Sequence, residues 1–152
     1  IALKNEVETE RAKSGEYLEG WQRSRAEFAN YKKRIEREQS QIYQATSANI
    51  IKRYLDVLDD LERALKNRPQ EGEGKAWADG VELIYRKFLS ILESEGIQLM
   101  KTDGQIFDPN LHEAVTSEEN SQYKSGQIIE VLKQGYMLGE KVLRPALVRV
   151  AR

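Results

Sequence analysis

A single histidine, His112, and no cysteine among 152 residues leave little material for nucleophilic or metal chemistry. No cluster of Asp, Glu or further His with metal-ligand spacing surrounds His112, so a structural or capping role is expected for it. Without cysteine there are no disulfides, thiolate metal sites or cysteine nucleophile, which fits a reducing compartment. The string GEGK at Gly72 to Lys75 has the composition of a phosphate loop. It lacks the glycine spacing and a preceding buried strand, and Ala76 stands where Ser or Thr would hold a metal, so it reads as a solvated turn. No GxSxG elbow occurs, and Asp59-Asp60 reads as helix-surface charge. No catalytic group, metal or cofactor is expected, and the chain does not read as an enzyme.

Two features suit binding better than catalysis. Lys32, Lys33, Arg34 and Arg37 form a basic run whose first three members wrap more than half of a helix, with Glu36 and Glu38 interrupting it. Such a run is a solvated face with i,i+4 support or a contact surface. With 24 basic against 25 acidic residues and a net charge of -1, no overall footprint points to nucleic acid or an anionic membrane. Gly80 lies inside an amphipathic helical pattern, where glycine costs about 1 kcal/mol relative to alanine. Close helix packing and close approach by another protein's backbone would both explain it.

These residues must be positioned by very different elements. The segment Ile1 to Arg68 is free of proline, and Val7, Trp21, Phe28, Ile35 and Ile42 fall on one seven-residue grid with Ser14 and Asn49 as polar members. A helix of that length would reach roughly 100 Å, more than one small domain can cover, so a second copy of the chain is expected along the seam. The seam is weak, since Arg25, Lys32 and Gln39 stand where a strong zipper places Ile or Leu. From Ile50 the apolar face widens through Ile51, Tyr54, Leu55, Leu58, Leu61 and Leu65, the pattern of a bundle helix. Asn67-Arg68-Pro69 and the following QEGEG end it. A second helix is expected from about Lys75 to Glu95, with Trp77, Val81, Ile84, Phe88 and Ile91 or Leu92 on one face and Gly96 as its cap. Two such hairpins, one from each protomer, would make a four-helix bundle.

After Gly96 the period shortens to two. Ile97 and Leu99, then Ile128 and Val131, then Tyr136, Leu138 and Val142, and finally Ala146, Val148 and Val150 read as short strands. Turns are expected at Asp103-Gly104, Asp108-Pro109-Asn110, Ser125-Gly126 and Gly139-Glu140. Pro145 should begin the last strand or lie at an edge. The small β domain would rest on the end of the bundle. The fold class is therefore α+β, divided into a long coiled-coil helix (1–49), a helical hairpin of a dimeric four-helix bundle (50–95) and a β domain (96–152). No run is apolar enough to span a bilayer and no signal sequence is visible; mean hydropathy is -0.68. A start at Ile1 and not methionine is what a fragment lacking a targeting segment or tail would show.

Five segments, AEFANYKKRIERE at Ala26 to Glu38, VLDDLERAL at Val57 to Leu65, GVELIYRKF at Gly80 to Phe88, FDPNLHEAV at Phe107 to Val115 and KQGYMLGEKVLRPALVRVA at Lys133 to Ala151, together resemble GrpE, the family of nucleotide exchange factors for DnaK-type chaperones. The likeness runs in order from Ala26 to the C-terminus; the first 25 residues share only helical, charged character. Gly139-Glu140 lies in a hairpin where the family varies, and the family's initial disordered tail is expected to be missing.

The resemblance implies an elongated homodimer of paired long helices, a four-helix bundle and two β domains carried like wings. One wing would push into the nucleotide-binding domain of the chaperone, open its cleft and release ADP so that ATP can enter, with no nucleotide bound by the factor itself. By position the implied wing contacts are Phe107, Pro109, Leu132, Lys141 and Val150, with Lys141 paired to a carboxylate. Lys32 and Lys33 would be contacts from the long helix, and Gly80 a point of close approach. The dimer interface expected from the apolar spacing comprises Trp21, Phe28, Ile35, Ile42, Ile51, Leu55, Leu58, Leu61, Leu65, Trp77, Ile84 and Phe88. No nucleic acid or membrane partner is expected. The compartment would be bacterial cytoplasm, with plastid stroma or mitochondrial matrix as alternatives. A coiled-coil tether, or a coiled coil binding duplex DNA through Lys32 to Arg37, are the competing readings.

Overall fold

The computed structural model describes residues 1–152 and divides into two compact units, Ile1–Ser47 and Ala48–Arg152. Helix α1 spans Ala2–Lys66. The first unit is helical and buries none of its side chains: Trp21, Phe28 and Ile42 are exposed, and Ile35 is only partly covered. Three of its aromatics carry cations from its own surface instead. Arg25 lies 5.1 Å above the Trp21 ring, Lys32 6.0 Å above Phe28 and Arg34 5.4 Å above Tyr31. Such contacts at exposed sites contribute about 0.5–1 kcal/mol each.

In the second unit α1 ends where the sequence loses its helical signals. Arg63 and Lys66 place positive charge in the last turn. Asn67 and Arg68 donate their backbone N–H groups to Ala64 and Leu65, and the Asn67 side chain donates to the Arg63 carbonyl at 3.0 Å. Pro69 follows. Helix α2 spans Glu73–Ser94, and Arg68 ties the connection to it through an ion pair with Glu82. The chain leaves α2 through Gly96 at φ 81°, a conformation that favours glycine, and its N–H donates to Glu93.

Six strands follow: β1 (Ile97–Leu99), β2 (His112–Glu118), β3 (Ile128–Lys133), β4 (Tyr136–Leu138), β5 (Lys141–Arg144) and β6 (Ala146–Ala151). They form two three-stranded sheets, ordered β1-β4-β5 and β2-β6-β3. The first is antiparallel; in the second, β2 runs parallel and β3 antiparallel to β6. A core of Met100, Ile128, Val131, Ala146, Val148 and Val150, flanked by Phe107, Leu111, Met137 and Val142, lies under the second sheet. Another joins the first sheet to the helices through Leu55, Leu58, Leu92, Ile97 and Tyr136. The α+β class and the C-terminal β domain agree with the sequence pattern.

Two details differ from it. Strand β2 was not legible, because HEAVTSE shows no apolar alternation: apart from His112, none of its residues is buried. And the Ile50 to Leu65 face does not depend wholly on a second protomer. Leu55 and Leu58 are fully buried inside one chain, against α2 and the first sheet. Pro145 precedes the central strand β6 and so removes no hydrogen bond from its ladder.

Candidate functional site

A dense polar joint fastens the β strands to α1. Arg144, at the end of β5, donates to both carboxylate oxygens of Asp59 at 2.7 and 2.8 Å and to the Gln134 carbonyl at 2.6 and 3.1 Å. Its guanidinium lies 5.3 Å above the Tyr136 ring. Lys133 Nζ reaches Asp56 at 3.5 Å and Asp59 at 3.7 Å, and Gln134 donates to Glu62 at 3.2 Å. Burial, followed by the nearby Glu62 and Asp59 carboxylates, pushes the Tyr85 phenol up to about 12; burial raises Tyr136 as well. These phenols remain neutral at physiological pH and serve packing. Nothing in the joint resembles a nucleophile with its base; it sets where the strands stand on the helix.

Gly135, in the connection between β3 and β4, lets that connection pass close to the start of β6. A Cβ there would meet the Ala146 nitrogen at 2.7 Å and both Ala146 Cβ and Met100 Sδ at 3.0 Å. The Phe107 to Asn110 turn is held by its own groups. Asp108 Oδ1 accepts from Asn110 N–H at 2.9 Å, its carbonyl accepts from Leu111 and His112 at 3.0 and 2.8 Å, and Phe107 N–H donates to Gly126 at 2.8 Å. Phe107 is half-buried on the second sheet's core and Pro109 is exposed at the tip.

Of the other implied wing residues, Leu132 is exposed where β3 shifts register against β6, and Lys141 is exposed at the start of β5. They stand on strands of different sheets. Val150 has a different place: at 7% exposure it belongs to the core and offers no contact surface. Its period-two spacing marked it as a strand residue but could not say which face of β6 meets the core.

On the helices, Lys32 and Lys33 are exposed. A Cβ on Gly80 would meet nothing within 4 Å, so packing within this chain does not explain the glycine. Trp77 and Ile84, two turns apart on α2, are exposed large apolar residues, as are Ile50, Tyr54 and Val57 on α1. The remaining expected interface residues Ile51, Leu61, Leu65 and Phe88 are partly buried. No helix is long and apolar enough to cross a membrane.

The family model described as GrpE matches residues 2–152. The chain belongs to the GrpE family. Protein GrpE of Caldanaerobacter subterraneus subsp. tengcongensis is 42% identical over 137 residues, 90% of this chain and 66% of that protein. Protein GrpE of Methanothermobacter thermautotrophicus is 39% identical over 137 residues, covering 90% and 75%. That of Staphylococcus haemolyticus is 35% identical over 145 residues, covering 95% and 70%. The chain thus spans between 66% and 75% of these relatives' lengths. For a GrpE family member, the Arg144–Asp59 joint is the feature that sequence reasoning missed. Its partners are 85 positions apart, so no local spacing signals it.

Proposed function

We propose that this chain is a co-chaperone, a nucleotide exchange factor that acts as a homodimer on the nucleotide-binding domain of a DnaK-type chaperone and has no catalytic activity of its own. Family membership carries the reading; the surface supports it. Phe107, Pro109, Leu132 and Lys141 lie on a β unit whose placement on the helix is held by Arg144 and Asp59, so a push against a partner would be transmitted and not absorbed. The factor binds the open conformation of the chaperone more tightly while ADP favours the closed one, and the two ligands therefore expel each other. The uncovered rows Trp77, Ile84 and Ile50, Tyr54, Val57 would be buried by the second protomer, together with Leu61, Leu65 and Phe88. Lys32, Lys33 and Gly80 would approach the chaperone. Melting of the first helical unit would lower exchange on heating and make it a thermosensor. Bacterial cytoplasm is the proposed location.

The decisive experiment is release of labelled ADP from a DnaK-type chaperone. The unmodified chain should accelerate it, and Lys141→Glu should lower affinity by about 2–5 kcal/mol if the contact is buried, while sedimentation still shows a dimer. No acceleration by the unmodified chain would favour a passive coiled-coil tether; unchanged affinity and release with Lys141→Glu would move the contact surface elsewhere.

A further inference from the structure

His112 is the chain's only histidine, and the exchange reading gives it no task, yet it is 5% exposed and built into the turn that carries Phe107 and Pro109. Its Nδ1 lies 3.0 Å from the Asp108 backbone nitrogen. An N–H can only donate, so Nδ1 accepts, and the neutral ring carries its proton on Nε2. Nε2 is enclosed without a protein hydrogen-bond partner. The same residue's backbone N–H donates to the Asp108 carbonyl at 2.8 Å, so ring and backbone close one loop onto Asp108 from both sides. The ring also packs against Phe107, with centroids 6.0 Å apart at an interplanar angle of 42°.

A second proton would have to enter at Nδ1. There it would face the Asp108 N–H, donor against donor, and the ring would hold a full charge with no acceptor on either nitrogen. The Asp108 carboxylate is the charged group that acts on the ring. Across from His112, its register partner on β6 is Ala146, followed by Leu147; Glu113, next on β2, is exposed and, by strand alternation, lies on the other side. Burial lowers the pKa of His112 below its ordinary value, and the attraction of Asp108 only partly opposes this.

We propose that His112 is a positioning residue whose neutral imidazole latches the Phe107 to Asn110 turn in the form that presents Phe107 and Pro109, so that the hold on the chaperone weakens as the ring takes up a proton. The proposal rests on the exchange reading for its consequence, but not for the latch itself. The sign follows from linkage. Because the folded ring resists a proton that the unfolded chain accepts, the stability the latch contributes is fully present above the ordinary histidine pKa of about 6.5 and declines from there as pH falls through the lower value of the folded ring, where the latch itself opens.

Two measurements separate the parts. With one histidine, the imidazole nitrogen-15 resonances of the unmodified chain are unambiguous: they should show the Nε2–H tautomer at pH 7.5 and a titration midpoint below about 6.5. An Nδ1–H tautomer, or a midpoint at or above that value, would overturn the latch. Affinity for a DnaK-type chaperone is then compared between the unmodified chain and His112→Asn, whose amide can accept at the Nδ1 position and does not titrate. From pH 7.5 to about one unit below the midpoint that the resonances report, the unmodified chain should lose roughly three- to tenfold relative to His112→Asn, the size of one net hydrogen bond. His112→Ala should bind more weakly at every pH. Titration of the chaperone cancels in the ratio, so parallel profiles for the unmodified chain and His112→Asn would refute the coupling. Failure of the unmodified chain to bind at pH 7.5 would refute the exchange reading, and the resonances would still decide the latch.

Discussion

Removing Asp59 should loosen the β strands from α1 and do so through one partner. The Arg144 and Asp59 side chains are 14% and 10% exposed and share two hydrogen bonds at 2.7 and 2.8 Å. Breaking a buried pair from one side costs about 3–5 kcal/mol, because the remaining charge is left in a poorly solvated place. Here the Gln134 carbonyl stays on the guanidinium and Asp56, largely exposed, lies 4.0 Å away, so Asp59→Ala should cost somewhat less, about 2–4 kcal/mol. Arg144→Met leaves Asp59 near Lys133, at 3.7 Å, and should cost about 1–3 kcal/mol. The double variant leaves no orphaned partner in the pair and should therefore be less destabilised than the sum, by about 2 kcal/mol. Urea unfolding at fixed protomer concentration would measure the three values, and hydrogen exchange at the amides of β4 and β5 would show whether the opening is local. Additivity within about 0.5 kcal/mol would mean that the pair does not act as a unit and that the joint is held by the Leu55, Leu58 and Tyr136 packing alone.

Gly135→Ala should destabilise the chain by about 1–3 kcal/mol, read as a lower urea midpoint, because the added carbon meets backbone at Ala146 and not a movable side chain. Gly80→Ala should raise helix stability by up to about 1 kcal/mol while weakening chaperone binding or dimerisation; a stabilised variant with both unchanged would remove any role in close approach. On heating, Trp21 fluorescence and part of the far-ultraviolet dichroism should change in a step below the loss of the β strands, since Ile1–Ser47 has no buried side chain of its own. A single coincident transition would count against a thermosensor. A chain ending at Glu95 should be less stable than the unmodified one by dichroism-monitored urea unfolding, because Leu55, Leu58 and Leu92 lose their cover of Ile97 and Tyr136.

Local signals determined most of the chain's elements. The proline-free run and its apolar spacing specify α1, Pro69 and the polar residues after it specify its end, Gly96 caps α2, and alternation marks β3, β4 and β6. The five family motifs, from Ala26 to Ala151, also stand in the sequence. Tertiary structure decided what covers each face. Leu55, Leu58 and Val150 have the same apolar character as residues left exposed, such as Ile50 and Leu132, and only the meeting of α1, α2 and the two sheets sorts them. Strand β2 exists because β6 supplies a ladder beside it, not because HEAVTSE favours a strand. His112 acquires its tautomer from a turn that folds back on itself, and Arg144 its partner from a helix 85 positions earlier. Spacing within a segment encodes the local conformation and the face it offers. The partner that covers that face lies far away in the chain, where periodicity carries no information about it.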